Sequence, residues 1–169
     1  MKKSVSKKIL ISIIIPYHKK KKFLFSTIKS IYNQTFKNYE VILIYDDNDY
    51  GEISFVKNQL KKIKNRKLII NKKKLGPGLS RNIGIKHAKG KLIAFCDADD
   101  TWHKNKLSEQ IKFMIKNNLQ FSHTSYNVIN FNGKKVGQFK IKEILNYSDL
   151  LKSCDIGLST VVVEKKILN

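Results

Sequence analysis

The stretch "KLIAFCDADD", residues 91–100, joins an apolar, strand-like segment to three carboxylates, those of Asp97, Asp99 and Asp100. The chain has 34 Lys and Arg but only 13 Asp and Glu, with a net charge of +21, so grouped acidic residues are unexpected. Residues two apart on an extended backbone face the same way, about 6.6 Å from each other. Asp97 and Asp99 should therefore converge, and Mg²⁺ or Mn²⁺ would relieve their repulsion. We predict a ligand and metal site at the end of this strand.

A second acidic segment, "YDDND" at residues 45–49, directly follows the apolar run "EVILIY". Ligands of open α/β sheets bind outside the carboxyl ends of the strands. The two acidic segments therefore predict one shared site at that edge. Individual residues have structural alternatives: Asp47 and Asp49 as turn residues, and Asp100 as a helix N-cap or turn former.

The whole chain alternates short apolar runs with amphipathic segments. Strands are predicted at 9–15, 40–45, 68–70 and 92–96, with helical spacing at 23–34, 53–63, 79–88 and 107–114. The pattern predicts an α/β fold, a doubly wound, mostly parallel sheet flanked by helices, in a single domain over residues 1–169. Pro16 is expected to end the first strand, Gly90 to end the third helix, and Asn132-Gly133 to turn a hairpin.

The basic charge is mainly lysine, because Arg66 and Arg81 are the only arginines. A biased composition would give a solvated lysine surface, whereas a partner for the charge would be an anionic membrane or substrate. Nucleic acid is not expected, because several aromatic positions follow the core pattern rather than interleaving with the cations.

Cys96 and Cys154 lack metal-ligand spacing and are predicted to be free thiols of a reducing compartment. No signal peptide is recognised, and no run reaches the roughly 20 apolar residues of a spanning helix. A cytoplasmic protein is predicted.

Four segments occur in an order and spacing that resemble family-two glycosyltransferases: "SIIIPYH", "EVILIYDDND", "GPGLSRNIGIKHAKGKLIAFCDADDTW" and "KLSEQIKFM". Members of that family commonly read "SIIIPxYN", "VIVVDDGS" and "ARNxGIxxAxGxYIxFLDxDD". The resemblance covers about residues 11 to 165 and includes "STVVVEKKIL". It implies the GT-A fold, with a Rossmann-like nucleotide-binding half. It also implies metal-dependent transfer of a sugar from a nucleotide diphosphate sugar, usually a UDP-sugar, to an acceptor hydroxyl in cell-envelope polysaccharide or glycolipid synthesis.

The resemblance also implies roles for individual residues. Asp46 would accept a hydrogen bond from the base, and Asp97 would contact the ribose or the metal-bound diphosphate. The divalent cation, Mg²⁺ or Mn²⁺, would bind Asp99 together with Asp97. Arg81 would lie near the diphosphate or would instead hold Asp97 or Asp46 in place. The nucleotide pocket would further be lined by Pro16 and Tyr17.

The sequence departs from the family pattern at several points. His18 is read in place of the usual Asn, as a wall residue, and "DNDY" replaces "DGST". Inverting members take their catalytic base from a downstream acidic motif, expected here beyond Asn169, and Glu164 reads instead as a surface or capping residue. The acceptor would be a glycan or a lipid-linked sugar, reached at the inner face of the cell membrane. Alternatives are a truncated nucleotide-sugar-binding remnant and a non-catalytic basic module that binds nucleic acid or anionic membrane.

Overall fold

The computed structural model describes residues 10–140, 142, 144–152 and 156–168. The strands are β1 (Ile11–Tyr17), β2 (Tyr39–Tyr45), β3 (Arg66–Ile70), β4 (Leu92–Phe95), β5 (Phe121–Ser122), β6 (Tyr126–Ile129), β7 (Lys135–Phe139) and β8 (Val162–Glu164). The helices are α1 (Lys21–Tyr32), α2 (Ile53–Leu60), α3 (Pro77–His87), α4 (Lys106–Lys116) and α5 (Tyr147–Lys152), with short 3₁₀ turns at Leu158–Thr160 and Lys165–Ile167.

Six strands form the central sheet in the order β3-β2-β1-β4-β8-β5. Strands β1 to β4 are parallel, and β8 and β5 join by antiparallel pairing. The carboxyl ends of four parallel strands thus lie along one edge. Strands β6 and β7 form a separate hairpin, whose turn includes Gly133 at a φ of 76°. The predicted mostly parallel α/β architecture is confirmed.

Apolar side chains alternate between the two faces of the sheet because successive strand residues point in opposite directions. On β1, Ile13 and Ile15 pack in a core cluster that also contains apolar residues of α1, α2 and α4. Ile14 belongs to a second cluster, on the face covered by α3. Helices on both faces produce the three layers of a doubly wound fold.

Helix α3 lies very close to the sheet at Gly84. A Cβ built there would be 2.5 Å from Cγ2 of Ile14 and 3.0 Å from Cδ1 of Ile44. Only a residue without a side chain lets the helix approach this closely. The contact sets the position of α3, whose first turn borders the edge where the parallel strands end.

Two expected element ends were wrong. Strand β1 continues through Pro16 to Tyr17, since Pro16 pairs with Ile44 of β2, and the β4 ladder has already ended at Ile14 and Phe95. The missing proline N–H therefore costs no hydrogen bond there. Gly90 is not the helix cap: α3 ends at His87, and a Cβ at Gly90 would lie 2.5 Å from the Ser12 backbone nitrogen.

Asp100 is not a helix N-cap, because α4 begins only at Lys106 after Asn105. Its backbone N–H donates to the Asp97 carbonyl at 3.1 Å, so it is a turn residue, the other role considered for it. Cys96 is a buried free thiol, whereas Cys154 lies outside the described residues, as does Ile9 of the predicted first strand. Of the helices described, none is both long and apolar enough to cross a bilayer.

Candidate functional site

A cavity of about 340 Å³ lies at the edge where β1, β2 and β4 end. It is bordered by the loops after these strands and by the first turns of α3. All six residues that the sequence singled out for ligand or metal binding line it: Pro16, Tyr17, Asp46, Arg81, Asp97 and Asp99. The fold therefore brings together side chains up to 83 positions apart, which are linked only by the shared strand edge.

Asp46 is the best-anchored carboxylate of the cavity. Its Oδ1 accepts hydrogen bonds from Asn71 Nδ2 and the Leu75 N–H, each at 2.8 Å, and its Oδ2 accepts from the Gly76 N–H at 2.7 Å. Burial alone raises the pKa of Asp46, but these hydrogen bonds to the charged form outweigh burial and lower the pKa below its ordinary value. Asp46 thus holds the β3–α3 loop at the cavity wall as an ionised group.

Arg81 and Asp97 form an ion pair across the cavity, with Nη2 of Arg81 2.5 Å from Oδ1 of Asp97. The Asp97 backbone is fixed in turn, because its N–H donates to Ser159 Oγ at 2.9 Å. The Arg81 Nε is buried and has no hydrogen-bond partner in the part of the chain that the structure describes. An unsatisfied buried N–H on a fixed guanidinium is suited to an anionic ligand oxygen. Arg81 therefore pins Asp97 and still has a donor to offer.

Asp99 is paired with a residue that the sequence did not single out. Its Oδ2 lies 2.6 Å from Nζ of Lys20, which immediately precedes α1. Lys74 also lines the cavity, from the loop that Asp46 anchors. Together with Arg81, these two lysines place three cations around the cavity. Neither lysine could be picked out from a sequence in which lysine is frequent everywhere.

Asp97 and Asp99 supply the hard carboxylate oxygens that Mg²⁺ and Mn²⁺ prefer. No group of three or more His, Cys, Asp or Glu side chains that could hold a metal occurs among the described residues. Each of the two carboxylates also has a cationic partner at present. The donor set therefore fits a cation that takes one or two protein ligands and completes its shell with diphosphate oxygens and water. It does not fit a cation held by protein ligands alone.

Tyr17 and His18, both expected at the cavity wall, line the cavity, and their surroundings include contacts that the sequence did not indicate. The Tyr17 side chain is fully buried and stacks on Tyr45, with ring centroids 5.4 Å apart, and its hydroxyl donates to Glu52. His18 lines the cavity with Nδ1 3.2 Å from Oδ2 of Asp47, without hydrogen-bond geometry. Lys19 has a φ of 49°, a conformation in which Asn is favoured. When the family pattern "SIIIPxYN" is aligned from Ser12 without a gap, its Asn corresponds to Lys19 rather than to His18. The positive φ of Lys19 agrees with this alignment.

A second cavity, of about 780 Å³, adjoins the first and shares Asp97 and Asp99 with it. Its walls include Asp100, whose pKa is raised by burial and by the neighbouring carboxylates. Lys106 also borders this cavity, with its ammonium 4.4 Å from the Trp102 ring centroid, and burial lowers its pKa to about 8. Asp97 and Asp99 thus lie at the junction of the two cavities. Such a junction would let a ligand in one cavity react with a ligand in the other.

Comparison with known proteins identifies the family of the chain. The sequence matches the profile of glycosyl transferase family 2 over residues 12–166. It is 37% identical over 164 residues to an Escherichia coli protein named UDP-Glc:alpha-D-GlcNAc-diphosphoundecaprenol beta-1,3-glucosyltransferase WfgD. That alignment covers 95% of this chain and 62% of WfgD. The chain thus spans less than two thirds of this relative.

Two solved structures share the fold. Residues 1–349 of S. aureus TarS, in complex with UDP, superpose with a TM-score of 0.76 at 23% identity, over 94% of this chain and 48% of that one. A mannosyltransferase from Pyrobaculum calidifontis, in complex with GDP-Man and Mn²⁺, gives a TM-score of 0.69 at 14% identity, over 94% and 45%. Because the family match extends over nearly its whole length, the chain belongs to glycosyl transferase family 2.

Proposed function

We propose that this protein binds a nucleotide diphosphate sugar, a UDP-sugar in preference to others, and transfers the sugar to an acceptor hydroxyl. The observation that carries the proposal is the fixed Arg81 guanidinium, whose buried Nε has no partner among the described residues and which lines one cavity with Lys20, Lys74 and Asp46. Three cations suit the charge of a diphosphate. An ionised carboxylate anchored at the cavity wall suits the N–H edge of a base such as uracil.

The leaving diphosphate gains negative charge as the sugar bond breaks, so fixed positive groups near it stabilise the transition state. Arg81 supplies a directed donor, while Lys20 and Lys74 supply mobile point charges. A divalent cation would be held by Asp99, with Asp97, and would neutralise the same diphosphate oxygens when bound. Asp97 has a second role in this proposal, because its ion pair sets the direction of the Arg81 side chain.

The acceptor is proposed to bind in the second cavity, which meets the first at Asp97 and Asp99. The name of WfgD specifies an acceptor attached to a lipid through a diphosphate, and we propose an acceptor of this lipid-linked class for the present protein. Transfer would then contribute to cell-envelope polysaccharide or glycolipid synthesis at the cytoplasmic face of the membrane. We assign no catalytic base among the described residues.

A thermal-shift titration tests donor binding directly. We expect UDP with Mn²⁺ to raise Tm by several degrees, more than UDP alone and more than GDP with Mn²⁺. At a ligand concentration of 100 Kd, binding contributes about 2.7 kcal/mol, so a shift of this size is measurable. No shift with any nucleotide diphosphate, with or without Mn²⁺, would contradict the proposed function.

The metal assignment is tested by Asp99→Asn, which keeps the shape of the side chain and removes its charge. We expect the variant to lose the Mn²⁺-dependent part of the UDP shift and to keep the wild-type Tm without ligand. Asp100→Asn is the matched control: it removes the adjacent charge, which borders only the second cavity, and should retain the Mn²⁺ effect. An unchanged Mn²⁺ effect in Asp99→Asn would refute Asp99 as a metal ligand.

A further inference from the structure

The outer surface of helices α1 and α2 combines exposed aromatic rings with lysines. Phe25 and Tyr32 of α1 are 44% and 50% exposed, so two aromatic rings of this helix reach solvent. Residues 21, 25, 29 and 32 lie on one side of α1, because a helix turns every 3.6 residues. We call the following group the α1–α2 face: Lys21, Phe25, Lys29, Tyr32, Lys37, Phe55 and Lys62.

Contacts between the helices show that these side chains share one surface. Lys62, just after α2, lies 4.7 Å from the Phe25 ring centroid, and Lys21 of α1 lies 5.6 Å from that of Phe55 in α2. At the other end of α1, Lys37 lies 5.5 Å from the Tyr32 ring. The rings and ammonium groups are therefore interleaved rather than segregated.

The face carries positive charge with no carboxylate to balance it. Neither 19–39 nor 53–65 contains Asp or Glu. None of its four lysines has an ion-pair partner in the part of the chain described. The opposite face of the sheet, covered by α3, is also basic but differs in one respect: within residues 66–96 the only aromatic side chain is the buried Phe95.

We propose that the α1–α2 face docks on the headgroups of an anionic lipid bilayer. Lysines near such a surface are attracted by its negative potential, and exposed aromatic rings favour the boundary between headgroups and acyl chains. The two features occur together on this face and not on the α3 side. Charge alone would favour either of these two sides, and the exposed aromatic rings favour the α1–α2 face over the α3 side.

The docked orientation places the first cavity, which is lined by Asp46, Arg81 and Asp99, near the membrane surface. Lys20, whose ammonium pairs with Asp99 in the cavity, precedes α1 directly, so the helix starts at the rim of the site. Twelve helical residues extend about 18 Å, so the part of the face that α1 carries lies within about that distance of the rim. This inference rests on the proposed function in one respect, because it explains how a lipid-linked acceptor reaches the second cavity.

The test is sedimentation of the full chain with vesicles of phosphatidylglycerol and phosphatidylcholine, at near-physiological salt. We expect binding that rises steeply with the phosphatidylglycerol fraction. Replacing the face's four lysines by Gln (Lys21, Lys29, Lys37 and Lys62) should lower the partition coefficient by roughly 600-fold, at about fivefold for each lysine. Phe25→Ser with Tyr32→Ser should lower it by about tenfold, because ring insertion is lost.

The matched control replaces four exposed lysines of the α3 side by Gln: Lys72, Lys73, Lys86 and Lys89. It removes the same net charge, but beyond the roughly 8 Å screening length from the docked surface, so we expect a loss of less than fivefold. Equal losses in the two quadruple variants would overturn the proposal. So would absence of binding to phosphatidylglycerol vesicles, or tighter binding to a single-stranded oligonucleotide that depends on the same lysines.

Every variant is also titrated with UDP and Mn²⁺ by thermal shift. An unchanged UDP shift shows that a variant is folded and that the donor site is separate from the docking surface. Failure of the UDP shift in the wild type, with vesicle binding intact, contradicts the proposed function alone. A normal UDP shift without vesicle binding contradicts the docking proposal alone.

Discussion

Asp46 is the residue on which the geometry of the donor cavity most depends, because three hydrogen bonds tie the β3–α3 loop to its carboxylate. We predict that Asp46→Asn lowers the free energy of unfolding by about 1–3 kcal/mol at pH 7, since the amide cannot accept from both Leu75 and Gly76. Urea unfolding measures this difference. An unchanged unfolding midpoint would show that the loop does not depend on Asp46.

The same residue predicts a pH dependence. The folded-state pKa of Asp46 is lowered from 3.8, so its stabilising contribution is complete above that value and is lost as the pH falls through the lowered pKa. The difference in unfolding free energy between wild type and Asp46→Asn should therefore be constant from pH 7 to 5 and shrink below about pH 3.8. Urea unfolding across this range tests it, and a difference that grows on acidification would contradict the assignment.

Arg81 allows a comparison within the chain, because Arg66 is the other arginine. Arg81→Lys should weaken UDP binding by about tenfold, since lysine cannot both contact Asp97 and direct a second N–H into the cavity. Arg66→Lys is the control: Arg66 donates to the Ile63 carbonyl at 2.7 Å, away from the cavity. Isothermal titration calorimetry measures both, and equal UDP affinities in the two variants would refute a diphosphate contact by Arg81.

At the scale of residues, the sequence pointed to the carboxylates and to Arg81 because each is rare in a lysine-rich chain. The converse holds for Lys20 and Lys74, which could not be distinguished from the other lysines until the fold placed them in the cavity. Tyr17 was expected to line the nucleotide pocket. Its backbone position is at the cavity, but its ring is in the core, since alternation along β1 directs it to the α1 side.

At the scale of elements, the close contact of α3 with the sheet gives a matched pair of substitutions in one helix. Gly84→Ala should destabilise the protein by about 1–3 kcal/mol, because the new Cβ would overlap Ile14. Gly78→Ala has open space around its Cβ and should be neutral or stabilise by up to about 1 kcal/mol. Thermal unfolding of both variants checks this, and similar values would refute tight packing at Gly84.

The types of most elements were predictable because β1, β2 and β4 are largely continuous apolar runs and helices α1, α2 and α4 have clear apolar periodicity. Element ends were less predictable, because they depend on neighbours distant in sequence. Strand β1 continues through Pro16 because no residue of β4 pairs with this position, so the missing N–H leaves no hydrogen bond unmade. Gly90 is required because the β1 backbone at Ser12 lies too close to accommodate a side chain, and not because it ends α3. The pairing of β8 between β4 and β5 likewise joins segments about 70 and 40 residues apart, which local pattern does not reveal.

At the scale of the whole molecule, a net charge of +21 should make the folded state repel itself. We predict that raising NaCl from 20 to 300 mM increases Tm, by about 2–4 °C for each kcal/mol of repulsion that is screened. Differential scanning calorimetry measures the increase. The quadruple Lys→Gln variants should show a smaller increase, and a Tm that falls with salt would contradict net repulsion.

The mostly parallel, layered α/β architecture followed from the order of strands and helices, whereas the partner for the charge did not. Composition alone could not separate a solvated lysine surface from a binding surface. The distinction needed the structure, because Phe25 of α1 and Lys62, just after α2, are far apart in sequence and meet only through packing.

The loop held by Asp46 also has a kinetic consequence. A segment that is already ordered before a nucleotide arrives loses little conformational entropy on binding, so association should proceed in a single step without slow rearrangement. Stopped-flow traces with a fluorescent UDP analogue should then be single exponentials, with a rate that increases linearly with concentration. Differences in affinity between nucleotides would then lie mainly in their dissociation rate constants.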